Sequence, residues 1–297
     1  MNDILTIITP TYNRVDKLHN LYKSLTEQTC KDFVWLVVDD GSTDDTKEIM
    51  QNWIDEAVFE LQYIYQKNAG KHSALNTGVR EIKSKLTFIV DSDDILTTDA
   101  VSTIIEDYQY IADNKKICGI GYLRGYSEKQ VIGDRYTADR FIGNFIQERT
   151  VRNVTGDKAE VWKTEYLKAV PFPEIPGEKF LGESYVWNTL AKTTDMLFIN
   201  KIIYITEYLE GGLTKSGRKL RISCPIGGML NSEILLGKEF DLKTRVKGAL
   251  LFVAYGKFAG YKYPTILEKS QKCKLVLLFY VPGVVLYHYW KKRYMRD

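Results

Sequence analysis

LTFIVDSDD, residues 86–94, runs an apolar segment directly into three carboxylates within four positions. An apolar run of this length, bounded by polar residues, reads as a strand, Leu86–Val90, buried on both faces in a parallel sheet. Ligands of open α/β sheets are held outside the carboxyl ends of the strands, so Asp91, Asp93 and Asp94 stand where a substrate would bind. Crowded carboxylates repel one another and raise each other's pKa. A divalent cation relieves that repulsion, so a metal site is the first reading. The competing reading makes Asp93 or Asp94 the cap of the next helix, with Asp99 equally suited; for an isolated D-x-D, that structural role is favoured.

The preceding chain reverses those odds. Ile4–Thr9 reads as a first buried strand, and Val15, Leu18, Leu21, Tyr22 and Leu25 recur at helical spacing after it. Phe33–Val38 is a second strand ending in Asp39-Asp40-Gly41-Ser42, with Ser42 or Thr43 expected to cap the next helix. Leu61–Tyr65, a helix over Ser73–Ile82, the strand Leu86–Val90 and a helix over Val101–Ile111 complete four strand–helix alternations. That pattern predicts a parallel, doubly wound, Rossmann-like sheet flanked by helices. Polar chemistry collects at the strand exits: Thr11 to Arg14, Asp39 and Asp40, Asn68 to Lys71, then Asp91 to Asp94. Neither G-x-G-x-x-G nor G-x-x-x-x-G-K-[ST] is present, so a nucleotide here must be held by stacking, carboxylate hydrogen bonds and a metal-bridged diphosphate.

In order, ITPTYNR (8–14), VVDDGS (37–42), NAGKHSALNTG (68–78) and DSDD (91–94) resemble the motifs of the family-2 glycosyltransferases of GT-A fold. The resemblance covers roughly the first 125 residues, and four ordered motifs are far more specific than one. It implies an inverting, metal-dependent glycosyltransferase using Mn2+ or Mg2+. The base would lie against Pro10, Thr11 and the Tyr12 ring, with Asp40 accepting from its imide N–H. Asp91 would approach the ribose or sugar and the metal, and Asp93 would ligate that metal. Arg14, Asn68, Lys71 and Ser92 line the same exits and count with the donor-binding residues, Lys71 as a phosphate contact. A carboxylate accepting from a pyrimidine N–H selects uracil over cytosine, so UDP-sugars are the favoured donors.

Beyond a strand over Ile117–Tyr122 the family pattern loosens. Glu160–Trp162 reads as a strand, and Ser184–Ala191 as a helix opened by Glu183-Ser184. The resembling family usually carries its base in a Glu-Asp pair at this point, where a helix start suits an anion. Glu183 is accordingly the expected base, with Ser184 where the second acid would stand and Glu178 in reserve. After the strand Ile202–Ile205, Tyr208–Arg221 resembles the loop that closes over the donor diphosphate, which would bring Lys215 and Arg218 to the leaving group. A nucleotidyltransferase and a non-catalytic nucleotide-sugar module remain alternatives. The former usually carries a Gly-rich basic loop where this chain has PTYNR.

The chain of 297 residues predicts a nucleotide-sugar half (1–125), an acceptor half (126–222) and a helical basic-aromatic extension (223–297). Residues 1–115 hold 11 Lys and Arg against 20 Asp and Glu, whereas residues 243–297 hold 12 against 2. A basic end rich in Tyr and Trp predicts contact with an anionic membrane surface, each Lys or Arg contributing about 1 kcal/mol there. No nucleic-acid recognition motif accompanies the charge. Cys30, Cys118, Cys224 and Cys273 form no C-x-x-C pair, so reduced thiols are expected. With no signal-peptide pattern and no spanning apolar run, the expected location is cytoplasmic, on the inner membrane face, with a glycan or polyprenyl-linked acceptor.

Overall fold

β1 (Leu5–Thr11) is buried along its whole length and pairs in parallel with β2 (Phe33–Asp39) on one side and β4 (Leu86–Ile89) on the other. A strand with neighbours on both edges and helices on both faces has no solvent side, which explains the near-continuous apolar runs. β3 (Glu60–Tyr65) adds in parallel to β2 and exposes Glu60, Gln62 and Tyr65 at the sheet edge. The computed structural model describes residues 4–206 and 213–295, with side chains from 217 onward in the second stretch. Helices α1 (Val15–Thr26), α2 (Thr46–Glu56), α3 (Lys71–Glu81) and α4 (Ala100–Ile111) alternate with these strands, as expected.

Past α4 the sheet becomes mixed. β5 (Ile95–Leu96), β6 (Ile117–Ser127), β7 (Gln130–Val131), β8 (Arg140–Gly143), β9 (Lys158–Lys163) and β10 (Asp195–Ile205) complete ten strands among the described residues. Their order is β3-β2-β1-β4-β9-β6-β10-β5, with β7 on β6 and β8 on β10. β9 runs antiparallel between β4 and β6, and β5 antiparallel against the end of β10.

The chain divides into two compact units: Met1–Pro171 with Thr193–Tyr208, and Phe172–Lys192 with Leu209–Asp297. The first contains the sheet. Its core includes an aromatic cluster in which Tyr22 stacks on Trp53 at 4.3 Å, beside Trp35 and Phe59. Each fully buried large apolar side chain contributes about 1.5–3 kcal/mol. α3 lies so close to β1 and β2 that a Cβ at Gly78 would strike Ile8 and Val38.

The second unit is helical: α6 (Ser184–Leu190), α7 (Leu213–Ser223), α8 (Pro225–Ile234), α9 (Leu242–Phe258), α10 (Tyr263–Glu268), α11 (Cys273–Leu278) and α12 (Tyr280–Tyr294), following α5 (Thr164–Ala169) of the first. Met229, Phe252, Val253, Ile266 and Trp290 pack in its core. The glycine-rich segment expected as a loop over 208–221 is helical from Leu213, while 207–212 lie outside the described residues. The apolar run Leu275–Leu286 is split at Phe279, because Pro282 has no N–H to return to residue 278. No helix among the described residues is long and apolar enough to cross a membrane. α11 and α12 do expose Leu277, Leu278, Val281, Val285 and Tyr289.

Candidate functional site

The exits of β1, β2 and β3 are laced together by one carboxylate. Asp40 Oδ1 accepts from Gln66 Nε2 (2.7 Å) and the Ala69 amide (2.8 Å), and Oδ2 from Asn68 Nδ2 (3.2 Å) and the Gly70 amide (2.8 Å). Its own amide donates to the Thr11 carbonyl at 2.8 Å. A carboxylate offers about four lone-pair positions. All are used here, so a nucleobase imide would have to displace one of these donors. Gly70, at φ +99°, takes the positive φ that brings its N–H to Asp40, a conformation most side chains resist.

The TYNR turn is fixed to the loop after β2. The Asn13 amide donates to Ser42 Oγ (2.9 Å), the Thr43 amide to Asn13 Oδ1 (2.7 Å) and the Val15 amide to Asp44 Oδ2 (3.1 Å). Ser42 and Thr43 therefore do not cap α2, which begins at Thr46, and Asp44 accepts from Thr46 Oγ1 at 2.5 Å. Pro10 and Thr11 end β1, and the Thr11 hydroxyl is buried with no hydrogen-bond partner among the described residues. Tyr12, 48% exposed, presents a ring face at the same edge.

The acids after β4 are matched by cations. Arg14 Nη1 lies 2.7 Å from Asp93, and Lys71 Nζ lies 2.5 Å from Asp91. Arg124, from β6, reaches Asp94 at 3.6 Å and Asp91 at 3.9 Å. Burial opposes the charge on Asp91, but Lys71, Arg124 and Arg14 outweigh it and hold this carboxyl below the ordinary range. Asp94 goes the other way: burial, then the charge of Asp91, push it up to about 7 against Arg124 and a hydrogen bond from Tyr204. The Tyr204 hydroxyl donates to Asp94 Oδ2 (2.7 Å) and accepts from the Asp91 amide (2.9 Å). Ser92 is buried between the acids.

Among the described residues, no three acid, histidine or cysteine side chains close on one point. The hard oxygens of Asp93 and Asp91 fit the other way of holding a magnesium-type ion, in which one or two carboxylates share it with phosphate oxygens and water.

Arg124 and Tyr204 escape a motif search because they lie inside strands of the later sheet. The available signal is a charged residue in the otherwise apolar run ICGIGYLRG. Arg124 lies 3.9 Å over the Tyr204 ring of β10 and donates from Nε to the Lys158 carbonyl of β9 at 2.8 Å, so two neighbouring strands hold it.

Glu183 and Arg218 belong to the second unit. Glu183 is the N-cap residue of α6, and the neighbouring Ser184 Oγ donates to Asn231 Oδ1 at 3.1 Å. Glu178 serves the fold instead, because its carboxylate accepts from the amides of Ile226 and Gly227, both at 2.7 Å, and so caps α8. Arg218 is on α7 rather than a loop, with its guanidinium 4.2 Å over the Trp290 ring. The Lys215 side chain lies outside the described residues.

Known proteins resemble this chain in sequence and in fold. GlyA, a glycosyltransferase of Streptococcus pneumoniae, is 32% identical over 72% of this chain, which spans about a third (32%) of GlyA. The GalNAc(5)-diNAcBac-PP-undecaprenol beta-1,3-glucosyltransferase of Campylobacter jejuni is 26% identical, covering 93% of this chain and 87% of its own length. S. aureus TarS 1-349, solved with UDP-GlcNAc, superposes with a TM-score of 0.62 at 16% identity, over 94% of this chain and 79% of that one. The mannosyltransferase PcManGT of Pyrobaculum calidifontis, solved with GDP-Man and Mn2+, gives 0.57 at 18% identity, over 97% and 83%. These structures share the GT-A type of α/β fold, and a family profile described as Glycosyl transferase family 2 matches residues 6–159. The chain belongs to glycosyltransferase family 2.

Proposed function

We propose that this glycosyltransferase inverts the anomeric centre as it moves a sugar from a nucleoside diphosphate sugar, UDP-sugar by preference, to a hydroxyl of a lipid-linked or oligosaccharide acceptor in surface-polysaccharide assembly. The observation that carries this reading is the strand-exit edge of β1 and β4, where the exposed Tyr12 ring and the Thr11 hydroxyl, unpartnered among the described residues, accompany three acids balanced by three cations. The undecaprenol in the Campylobacter relative's name supports the acceptor class, and the UDP-GlcNAc of TarS the donor class.

In this reading the base stacks on Tyr12 beside Pro10 and Thr11, next to the Asp40–Asn68 lacing. Arg14 and Lys71, paired with Asp93 and Asp91, exchange those carboxylates for phosphate oxygens when donor binds. Arg124 keeps Asp91 and Asp94 in place, and Ser92 lies in the turn between them. A Mn2+ or Mg2+ held by Asp93, with Asp91 beside it, would offset the charge of the departing diphosphate. Glu183 takes the acceptor proton as the acceptor oxygen bonds to the anomeric carbon and the bond to the diphosphate breaks on the opposite face. Residues 1–125 serve the donor and 126–222 the acceptor. Residues 223–297, with the exposed apolar row of α11 and α12 between Lys272 and Lys291, meet the membrane surface from the cytoplasm.

The test incubates the protein with a panel of UDP- and GDP-sugars, Mn2+ and a polyprenyl-diphosphate acceptor, and identifies the released nucleotide. Release of nucleoside diphosphate is expected, abolished by Asp93→Ala. Release of pyrophosphate would instead identify a nucleotidyltransferase. Glu183→Gln is expected to bind donor normally while transfer falls about 10²-fold or more, the usual contribution of a general base.

A further inference from the structure

α6, α7, α8 and α9 of the second unit line an open cavity of about 230 Å³. Three cations line it, Arg218 and Arg221 from α7 and Lys247 from α9, together with Ser184, Asn188 and Asn231. Among the described residues no carboxylate lines it, whereas Asp91, Asp93 and Asp94 of the first unit each have a cationic neighbour. The remaining walls include Leu235, Leu251 and Tyr255, so the positive charges face a partly apolar space. Such surroundings strengthen an ionic hydrogen bond relative to open water.

A second observation is independent of charge. Asn188 is 7% exposed, and its carboxamide oxygen is buried with no hydrogen-bond partner among the described residues. Buried polar atoms are ordinarily paired, and an exception asks for a missing ligand or water. Turned either way, the carboxamide can meet an oxyanion or its hydroxyl. The helix start that would otherwise attract an anion is already occupied, because Glu178 holds the first amides of α8. The attraction therefore comes from the side chains of α6, α7 and α9.

The geometry points to a diphosphate site in this cavity, and its ligand is the diphosphate of a prenyl-linked acceptor. This rests on the proposed acceptor class. Arg218 lies over Trp290 of α12, the helix that carries the exposed row Val281, Val285 and Tyr289. A diphosphate held by Arg218, Arg221 and Lys247 is thus attached to the element with an outward apolar face, the chemistry an isoprenoid tail needs. A free diphosphate and an anionic phospholipid headgroup share the same recognition, and the probes below separate them.

The experiment titrates the full chain, in EDTA, with inorganic pyrophosphate, farnesyl diphosphate, UDP and phosphatidylglycerol vesicles. Arg221 and Lys247 are exposed residues, so Arg221→Gln/Lys247→Gln should fold, checked by thermal melting. Farnesyl diphosphate is expected to bind more tightly than pyrophosphate, and the double variant to weaken it roughly tenfold or more, since each ionic hydrogen bond lost is worth about that factor. Asp93→Asn is expected to leave it unchanged. Equal farnesyl diphosphate binding by parent and double variant would overturn the assignment, as would its loss in Asp93→Asn. Vesicle binding that falls in the double variant while farnesyl diphosphate fails to bind would assign a phospholipid headgroup instead. UDP is titrated again with Mn2+ in place of EDTA; should it then fail to bind every form, the donor reading falls and this site stands, because its readout is farnesyl diphosphate. Restored affinity in Arg221→Lys/Lys247→Arg would tie the effect to charge.

Discussion

Replacing Arg124 with methionine removes the cation that Asp91 and Asp94 share while keeping most of the side chain's apolar length. The Arg124 side chain is 13% exposed and that of Asp94 4%, so water cannot take over the lost pairing. Ion contacts at 3.6 and 3.9 Å disappear, with the 2.8 Å hydrogen bond to the Lys158 carbonyl and the stacking on Tyr204. Breaking a buried pair from one side costs about 3–5 kcal/mol, which lowers the melting temperature of a chain this size by roughly 10 °C. The loss should depend on pH, with a defined sign. Asp94 titrates near 7 when folded against an ordinary 3.8, so its stabilising share is complete below the lower value and is lost as pH rises through about 7. Arg124 pulls that pKa down, so its removal raises it further and makes protonation more valuable to the fold. Melting followed by circular dichroism in EDTA should therefore show a larger deficit at pH 8 than at pH 6. A variant melting within about 2 °C of the parent at both values, below the smallest shift a lost buried pair should give, would refute the reasoning.

Tyr12→Ala should weaken UDP binding by roughly tenfold, a stacking loss of about 1–3 kcal/mol, with the melting temperature unchanged because the ring is half-exposed; isothermal titration checks the first and a thermal scan the second. Asp40→Asn places an N–H against donors already pointed at it. It should cost about 1–3 kcal/mol of stability, whereas a stable variant impaired only in nucleotide binding would show that the lacing matters less than base recognition. Maleimide at pH 7.5 should label exposed Cys273 rapidly and spare Cys118, whose thiol burial pushes up to about 11; mass spectrometry of the folded protein reads out both.

Apolar runs and strand-exit motifs were enough to read the first four strands and the placement of Tyr12, Asp40, Asp91 and Asp93, because parallel strands announce themselves by composition. Partner choice was less legible. Asp40 reads equally as a turn residue or a base contact, and only the folded loop after β3 supplies its four donors. Arg14, Lys71 and Arg124 neutralise acids that look unpaired in sequence, and those pairings depend on chain segments brought together by folding. Tyr208–Arg221 is expected as a loop from its resemblance to the family's donor-closing segment. Yet one glycine costs a helix only about 1 kcal/mol, and α7 offsets that by burying Ile222 in the second unit's core. Antiparallel β9 between β4 and β6 could not be anticipated either, since strand order is set by long-range pairing.

The two hydrogen bonds of the Tyr204 hydroxyl span 113 and 110 residues of chain, to Asp91 and Asp94. Every motif of the acidic exit has left the ribosome long before β10 is synthesised. Such long-range closure is slow to form and leaves earlier strands waiting with unsatisfied edges. The site is therefore finished late in folding, and a nascent or truncated chain ending before residue 195 carries the whole signature of the family without the clasp that orders its carboxylates. Quality control that samples this exit would be monitoring completion of the entire sheet.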